Sequence, residues 1–313
     1  MKLASYEDSG RPRLAAVDGE TLIDLNRAAA ARARDRGAAL PQALADATVP
    51  ADVLDFLRAG DDALAAARAA AAFAADLPAE RARRERLRLP RADARLLPPV
   101  PQPPKIICVG RNYAEHANET GLAVSEIPIL FARFATTLVA DGDPVVRPRA
   151  SEQLDWEGEL AVVIGTGGRH IPRACALDHV AGYAVFNDVT VRDYQFRTSQ
   201  YTAGKNFAAS GPFGPHLVLK DELPDPHALE ISTYVGDERV QHGRTADMLF
   251  DVATIVAHLS ELLPLEPGDV IPTGTPSGVG FKRTPPRYLV PGDVVRVEIP
   301  GVGVLTNPVI DEA

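Results

Sequence analysis

Short apolar runs separated by turn residues predict a chain that is mostly β-sheet beyond residue 104. The runs are rich in Val and Ile, and Gly, Pro, Asn or Asp stands close to their ends. The predicted strands are 105–110, 128–133, 145–146, 157–164, 180–187, 214–220, 229–235, 270–273 and 294–299. Residues 248–263 differ, because their apolar positions recur at helical spacing and predict an amphipathic helix.

The first 97 residues follow another pattern. Three short alternating runs, at 2–6, 13–17 and 21–25, predict a small hairpin-type sheet. From 26 to 88 the chain is rich in Ala, Arg and Leu, which predicts several short helices that end at helix-breaking residues. These breaks are Gly37, Pro41, Pro50, Gly60 and Pro78.

A proline-rich segment separates the two patterns. Residues 98–104 contain five prolines in seven positions, so they cannot form an interior helix or a central strand, and they predict a stiff linker. We therefore expect a small N-terminal α+β domain at 1–97, the linker at 98–104 and a mostly β domain at 105–313. The predicted fold class is α+β, predominantly β.

Charge and composition narrow the possible partners. A net charge of −9 and a pI near 5.3 argue against binding to nucleic acid or anionic membranes. No stretch approaches the roughly 18 apolar residues of a membrane span, and the N-terminus has no apolar signal region. We expect a cytoplasmic protein in which Cys108 and Cys175 are buried free thiols. The basic run 81–88 is interpreted as a solvated helix face.

Two glutamates open one of the apolar runs. Glu157 and Glu159 stand two residues apart in a predicted strand, so both side chains leave the same face with Cα atoms about 6.5–7 Å apart. Carboxylates this close repel one another unless a cation, an arginine or water compensates. The pair by itself fits either a solvent-facing strand or a metal site.

Asp188 follows the apolar run 180–187 and completes a set of three carboxylates. Oxygen ligands with open positions suit Mg²⁺, Mn²⁺ or Ca²⁺ and disfavour Zn²⁺, which prefers His and Cys. Asp188 alone fits equally well as the cap of a following helical turn.

A second polar group lies at 110–121, directly after a predicted strand. If this segment is a short helix, His116 and Glu119 stand one turn apart, and the carboxylate can hold the imidazole as a general base. The alternative is an ordinary charged surface helix. Lys205, after a glycine, and the glycine-rich loop 273–280 are further candidates for ligand contact.

Several common motifs are absent from the sequence. The chain has no Gly-x-Gly-x-x-Gly after a strand, no P-loop, no Gly-x-Ser-x-Gly elbow and no His-Glu-x-x-His. These absences exclude the commonest dinucleotide-binding, nucleotide-binding, serine-hydrolase and zinc-protease classes.

The ordered set of motifs resembles the fumarylacetoacetate hydrolase family across 105–313. The family patterns match Gly-Arg-Asn-Tyr-x-x-His-x-x-Glu at 110–119, Glu-x-Glu at 157–159 and Asn-Asp-x-[Ser/Thr]-x-Arg-Asp at 187–193. Gly-Lys at 204–205 and Thr-Gly-Thr-Pro at 273–276 match as well. The resemblance implies the family's mixed β-sheet and β-roll catalytic fold, a homodimer, and a preceding small variable domain.

The resemblance also implies roles for individual residues. It places the metal ligands at Glu157, Glu159 and Asp188, which would bind Mg²⁺ or Mn²⁺, with Ca²⁺ as a further option. The remaining roles are catalysis by His116, Glu119 and Lys205, and substrate contact by Arg111, Tyr113, Gln195, Lys205 and Thr275. Trp156 stands where a tyrosine is common, and Arg133 where many members have lysine, which suggests a subgroup with another substrate.

The implied chemistry is hydrolysis of a C–C bond in an acylpyruvate or related β-diketo acid such as fumarylpyruvate or fumarylacetoacetate. The metal would chelate the 2-oxo acid and act as a Lewis acid, and His116 would deprotonate the attacking water. The alternative on the same fold is isomerisation or decarboxylation of a 2-oxo or 2-hydroxymuconate-type acid, including oxaloacetate. A non-catalytic paralogue is a third interpretation.

Overall fold

The structure, a computed structural model, describes residues 1–115 and 125–313. The strands in this part of the chain are β1 (Lys2–Asp8), β2 (Arg11–Asp18), β3 (Thr21–Asp24), β4 (Arg88–Pro90), β5 (Leu96–Leu97), β6 (Ile106–Gly110), β7 (Ile129–Arg133), β8 (Leu138–Val139), β9 (Val145–Arg147), β10 (Leu154–Asp155), β11 (Gly158–Ile164), β12 (Val180–Asn187), β13 (Thr190–Val191), β14 (Gly211–Leu219), β15 (Glu230–Val235), β16 (Glu238–Arg244), β17 (Val270–Pro272), β18 (Val294–Ile299) and β19 (Gly303–Asp311). The helices are α1 (Leu25–Asp35), α2 (Pro41–Thr48), α3 (Val53–Asp76), α4 (Ala79–Arg84), α5 (Arg192–Gln195), α6 (Thr202–Lys205) and α7 (Val252–Leu262).

A twelve-stranded mixed sheet forms the centre of the protein. Its main path runs β4-β3-β2-β1-β14-β12-β11-β17-β6-β7, with β5 beside β1 and β8 beside β14. Strand β11 is buried along its whole length, as is β14. Strands covered on both faces need apolar side chains on both, which is why β11 reads as a continuous apolar run instead of an alternating one. The predicted α+β class with predominant β-structure is confirmed.

A second sheet packs beside the first. It has five strands in the order β16-β15-β18-β19-β9, and a small pair, β10 and β13, lies separately. In β15 and β18 buried residues alternate with half-buried or exposed ones, as expected for strands with one face on the core. Ile231 and Val297 from this sheet share an apolar cluster with Leu160 and Val162 of β11.

The N-terminal elements follow the predicted order. Strands β1 to β3 form the expected antiparallel sheet, and four helices follow. Within α3 the helical backbone is interrupted at Gly60, as predicted, because φ there is +68° and ψ is −149°; a second helical segment then runs to Asp76. Glycine tolerates this φ without a Cβ clash, which is why the first helical segment can end there and a second can follow directly. Helix α7 begins later than predicted because Asp251 caps it through Thr254 N.

The N-terminal elements join the central sheet directly. Strand β1 pairs with β14 through Lys2 and Leu3, and Leu3 lies in the same apolar cluster as Phe186 and Phe213. The boundaries at 97 and 104 stay a prediction. Cys108 is buried as expected, whereas Cys175 is exposed. In the described residues no helix is both long and apolar enough to cross a membrane.

Candidate metal and substrate site

Strand register brings the three predicted metal ligands together. Strands β11 and β12 are antiparallel, with Gly158 opposite Asn187. Glu157 therefore lies next to Asp188 across the pair, and Asp188 N donates to Glu157 O at 2.9 Å. The Asn187 side chain fixes this corner, because its Oδ1 accepts from Glu157 N at 2.9 Å. Glu157 lies just before β11 and not within it, a difference of one residue from the prediction.

The three carboxylates have the spacing of a cation site. Glu157, Glu159 and Asp188 are all buried, and each offers an oxygen within 4.8 Å of the others. Oxygens that ligate one Mg²⁺, Mn²⁺ or Ca²⁺ at about 2.0–2.6 Å are at most about 4–5 Å apart, so this donor set fits such an ion.

Three cationic side chains already contact two of these carboxylates. Lys205 Nζ lies 2.7 Å from Glu157 Oε2 and 2.6 Å from Asp188 Oδ2. Arg133 Nη1 lies 2.6 Å from Asp188 Oδ1, and Arg192 Nη1 lies 2.6 Å from Glu157 Oε1. A carboxylate can accept about four hydrogen bonds, so both groups retain capacity for a metal ion. Burial alone would lower the pKa of Lys205, but Asp188 and Glu157 outweigh it and raise that pKa, so the lysine is an ammonium ion.

Glu159 is the carboxylate whose charge is least compensated. It is 1 % exposed and accepts a hydrogen bond from Gly274 N at 2.8 Å, but it forms no ion pair with any other described residue. Burial, and then repulsion from Asp188 and Glu157, raise the pKa of Glu159 well above its ordinary value. A divalent cation would supply the missing positive charge, so the electrostatics of the site fit the metal as well as the spacing does.

A cavity of about 290 Å³ lies against this cluster. Glu157 and Glu159 form part of its wall, whereas Asp188 is not among its lining residues. Four cationic side chains also line it: Arg111, Arg192, Lys205 and Lys282. Its aromatic wall consists of Phe131, Phe196, Tyr201 and Phe281. A cavity with these walls suits a small anionic ligand that also contacts a cation.

Two predicted substrate contacts, Gln195 and Thr275, line the cavity and are held in place. Gln195 Oε1 accepts from Arg192 Nη1 at 2.9 Å. Thr275 Oγ1 donates to Gly158 O at 2.9 Å and accepts from Gln241 Nε2 at 2.8 Å. The preceding Gly274 has φ +100°, and a Cβ there would lie 3.0 Å from Val109 O, so the loop needs glycine at this position.

The other predicted residues are placed differently. Arg111 and Lys205 line the cavity, but Tyr113 is 2 % exposed and is not part of its wall. Burial, and then Glu159, raise the pKa of Tyr113. His116 and Glu119 lie outside the described residues.

Sequence reasoning did not assign a role to Arg192, although it lies in the Asn-Asp-x-[Ser/Thr]-x-Arg-Asp motif. Arg192 joins three polar groups, because its Nε donates to Asp155 Oδ2 at 2.8 Å while Nη1 contacts Glu157 and Gln195. Its guanidinium also lies 4.4 Å from the centre of the Phe281 ring. The arginine position of that motif could have identified Arg192 as a site residue. No sequence motif pointed to Gln241 or Phe281, because only the fold brings these two residues to the site.

Residues 105–310 match the family description "Fumarylacetoacetate (FAA) hydrolase C-terminal". Among curated relatives, human "Oxaloacetate tautomerase FAHD2A, mitochondrial" is 44 % identical over 267 residues, which is 85 % of this chain and 82 % of the relative. "Oxaloacetate tautomerase fahd2, mitochondrial" of Xenopus laevis is 39 % identical over 316 residues, covering 99 % and 90 %. Both names place those relatives in mitochondria, and a cytoplasmic location for this chain stays a prediction.

Solved structures give the same picture. A fumarylacetoacetate hydrolase from Exiguobacterium antarcticum is 36 % identical with a TM-score of 0.77, over the whole of both chains. A maleylpyruvate hydrolase from Sphingobium sp. SYK-6, in complex with manganese(II) and pyruvate, is 29 % identical with a TM-score of 0.76, again over both whole chains. The fold and the three-carboxylate cluster place the chain in an enzyme class that includes this manganese-bound hydrolase. The chain belongs to the fumarylacetoacetate hydrolase family, which confirms the resemblance noted in the sequence.

Proposed function

We propose that this protein is a divalent-metal-dependent isomerase of a small 2-oxo dicarboxylic acid, and that it interconverts the enol and keto forms of oxaloacetate. The observation that carries the proposal is a small cavity whose wall combines the acidic cluster with four cationic side chains. The named activity of the relatives from human and Xenopus laevis favours tautomerisation over C–C hydrolysis, the first sequence-based interpretation.

Size and charge both support a small diacid. The cavity of about 290 Å³ is near the lower end of the usual range for ligand sites, roughly 300–1,000 Å³. The chain as a whole carries −9, so the cationic wall formed by Arg111, Arg192, Lys205 and Lys282 is a local reversal of charge. Such a wall attracts a dicarboxylate and repels cationic compounds.

Glu157, Glu159 and Asp188 would hold Mg²⁺ or Mn²⁺. The ion, when bound, supplies Lewis-acid polarisation of the 2-oxo group and its neighbouring carboxylate. Lys205 remains protonated beside Glu157 and Asp188, and it would stabilise the negative charge that develops as the ketone becomes an enolate. Gln195, whose amide oxygen is held by Arg192, keeps its NH₂ group available to orient the substrate.

Tautomerisation also requires one proton to move between the enol oxygen and C3 of the acid. We assign this transfer to His116, oriented by Glu119, as the sequence motif suggests. The last described residue before them, Glu115, contacts Ser277 in the same loop as Thr275. In the enol-to-keto direction His116 would deliver a proton to C3 while the enol O–H loses one, and no water is consumed.

Hydrolysis of an acylpyruvate is the second candidate. It is supported by the similarity to the maleylpyruvate hydrolase solved with manganese(II) and pyruvate. The same groups would serve, except that His116 would deprotonate a water that attacks the distal carbonyl. The two functions differ in product, because only hydrolysis breaks a C–C bond.

The experiment compares both chemistries with the same Mg²⁺-loaded preparation. Enol oxaloacetate is added and the decay of its enol absorbance is followed, while pyruvate is measured in parallel for oxaloacetate, fumarylpyruvate and maleylpyruvate. The proposal predicts accelerated enol decay without pyruvate release from any of the three acids. Pyruvate release from an acylpyruvate with no acceleration of enol decay would favour hydrolysis, and release from oxaloacetate would indicate decarboxylation.

A further inference from the structure

A second and larger cavity lies on the N-terminal part of the protein, away from the residues of the metal site. It is an open groove of about 580 Å³, twice the volume of the candidate active site. Four arginines line it: Arg27 from α1, Arg83 from α4, Arg86, and Arg88 from β4. Leu89 and Pro90 contribute apolar surface, and the nearly fully buried Tyr6 lies behind them.

The arginines of this groove are only partly neutralised. Arg27 and Arg86 share Asp8, and Arg27 Nη1 also lies 3.4 Å from the buried Asp24. The Arg83 side chain is exposed and forms no ion pair or hydrogen bond with another described residue. The groove therefore keeps a surplus of positive charge in a chain of net charge −9.

Arg88 and Asp93 complete the charge pattern. Arg88 donates to two backbone carbonyls, Ala75 O at 3.3 Å and Leu77 O at 2.8 Å, so its charge is not offset by a carboxylate in the described chain. Asp93 is the single acidic side chain among the groove's lining residues.

A neighbouring cleft does not share this surplus of positive charge. Its charged lining residues are Glu20, Arg91, Arg95, Asp141 and Asp143. Acidic groups outnumber arginines there, and Arg91 is paired with Asp141 at 3.4 Å.

The backbone turns three arginines of the basic run toward the groove. The sequence suggested that the whole run 81–88 is a solvated helix face, and this holds for Arg81, which pairs with Asp35 and Glu85. The helix stops at Arg84, however, and Arg86 adopts φ +56° as part of the helix C-cap, in which Arg86 N donates to Arg83 O at 3.0 Å and Leu87 N donates to Ala82 O at 2.8 Å. The chain therefore turns after Arg84, and Arg86 and Arg88 line the groove.

We propose that this groove is a second binding site, which takes a small phosphorylated metabolite about the size of a nucleoside diphosphate. Guanidinium groups bind phosphate oxygens through paired N–H donors, and a tetrahedral phosphate can be approached by arginines from several directions. A planar carboxylate offers only two oxygens. The volume exceeds what a phosphate fills, and Leu89 and Pro90 provide a surface for the organic part.

Isothermal titration calorimetry of the full chain tests this proposal. ADP, pyrophosphate and citrate are titrated in excess EDTA, so that the candidate metal site cannot capture the ligand through a bound ion. The variants are Arg83→Gln and Arg83→Gln/Arg86→Gln, whose side chains are exposed at the groove. Arg84→Gln is the matched control, because Arg84 is exposed on the same helix but does not line the groove.

We expect saturable binding of ADP, weakened about tenfold by the single change and about a hundredfold by the double change, and unaltered in Arg84→Gln. Pyrophosphate binding of similar strength would support recognition of the phosphate groups. Citrate binding as tight as that of ADP would overturn the phosphate assignment. The absence of heat with ADP and pyrophosphate at millimolar concentration, or equal binding by the double variant, would overturn the site itself.

Discussion

Replacing Arg133 by methionine should destabilise the protein, because the buried carboxylate of Asp188 would lose a cationic partner. Both side chains of the Arg133–Asp188 pair are fully buried. Arg133 Nη1 donates to Asp188 Oδ1 at 2.6 Å and to Val189 O at 3.2 Å, while Nη2 donates to Ser210 Oγ at 2.7 Å. Methionine fills a similar volume without charge, so Asp188 loses one of its two cationic partners.

The size of the expected loss in unfolding free energy follows from the burial of the Arg133–Asp188 pair. Removing one partner of a buried ion pair costs about 3–5 kcal/mol, and because Lys205 still contacts Asp188 we expect the lower part of this range, about 3–4 kcal/mol. Arg133→Lys keeps the charge, but the lysine ammonium cannot contact both Asp188 and Ser210 as the planar guanidinium does. We therefore expect the free energy of unfolding to fall by about 1.5–3 kcal/mol. With a urea slope of about 3 kcal/mol per molar, the methionine variant should unfold at a urea concentration roughly 1–1.3 M lower.

Urea titration monitored by tryptophan fluorescence is the assay. Trp156 is the single tryptophan of the chain, fully buried beside Glu157, so its emission reports on the site. The control is Arg58→Met, since Arg58 and Asp55 form an exposed pair worth no more than about 1 kcal/mol. Added Mg²⁺ should restore part of the loss in Arg133→Met. An unchanged midpoint for that variant in EDTA would refute the reasoning.

Three further predictions concern a buried histidine, a strand glycine and the missed arginine. Burial lowers the pKa of His216 to about 4, so the folded state keeps it neutral. Stability should therefore be lost as pH falls through 6.5 toward 4, by about 3 kcal/mol, and His216→Gln should reduce this loss in urea titrations at each pH. In Gly158→Ala the new Cβ would lie 2.2 Å from Thr233 Oγ1, so we expect a lower melting temperature from an overpacking cost of about 1–3 kcal/mol or more. Arg192→Lys should lower kcat/KM for oxaloacetate about 10- to 100-fold in steady-state assays, because the guanidinium group that holds Gln195 is lost. Kinetics equal to those of the wild type would contradict this.

Much of the fold was predictable because its central strands carry buried apolar runs. Strands β12 and β18 were predicted with their observed bounds. Strands β16 and β19 were missed for a physical reason. Strand β16 has only Val240 and Gln241 buried among polar residues, and β19 contains Pro308, which usually argues against a strand. Their place in the sheet depends on partners that a local pattern does not contain.

The candidate site was likewise predictable only in part from the sequence. Glu157, Glu159 and Asp188 were predictable from spacing on strands and from motifs, and the structure brings their oxygens together. The cations that accompany them were harder to assign. Arg133 lies 55 residues from Asp188 along the chain, so its contact depends on the tertiary fold and on no sequence neighbour.

The central claim is that the three-carboxylate site holds a divalent ion on which oxaloacetate tautomerisation depends. The most direct test measures enol decay with chelator-treated protein, before and after Mg²⁺ or Mn²⁺ is added back, for wild type, Glu159→Gln and the exposed control Glu152→Gln. We predict that wild type and Glu152→Gln regain activity with the metal, whereas Glu159→Gln stays folded and inactive. Full tautomerase activity of wild type in excess EDTA, or of Glu159→Gln, would contradict the account.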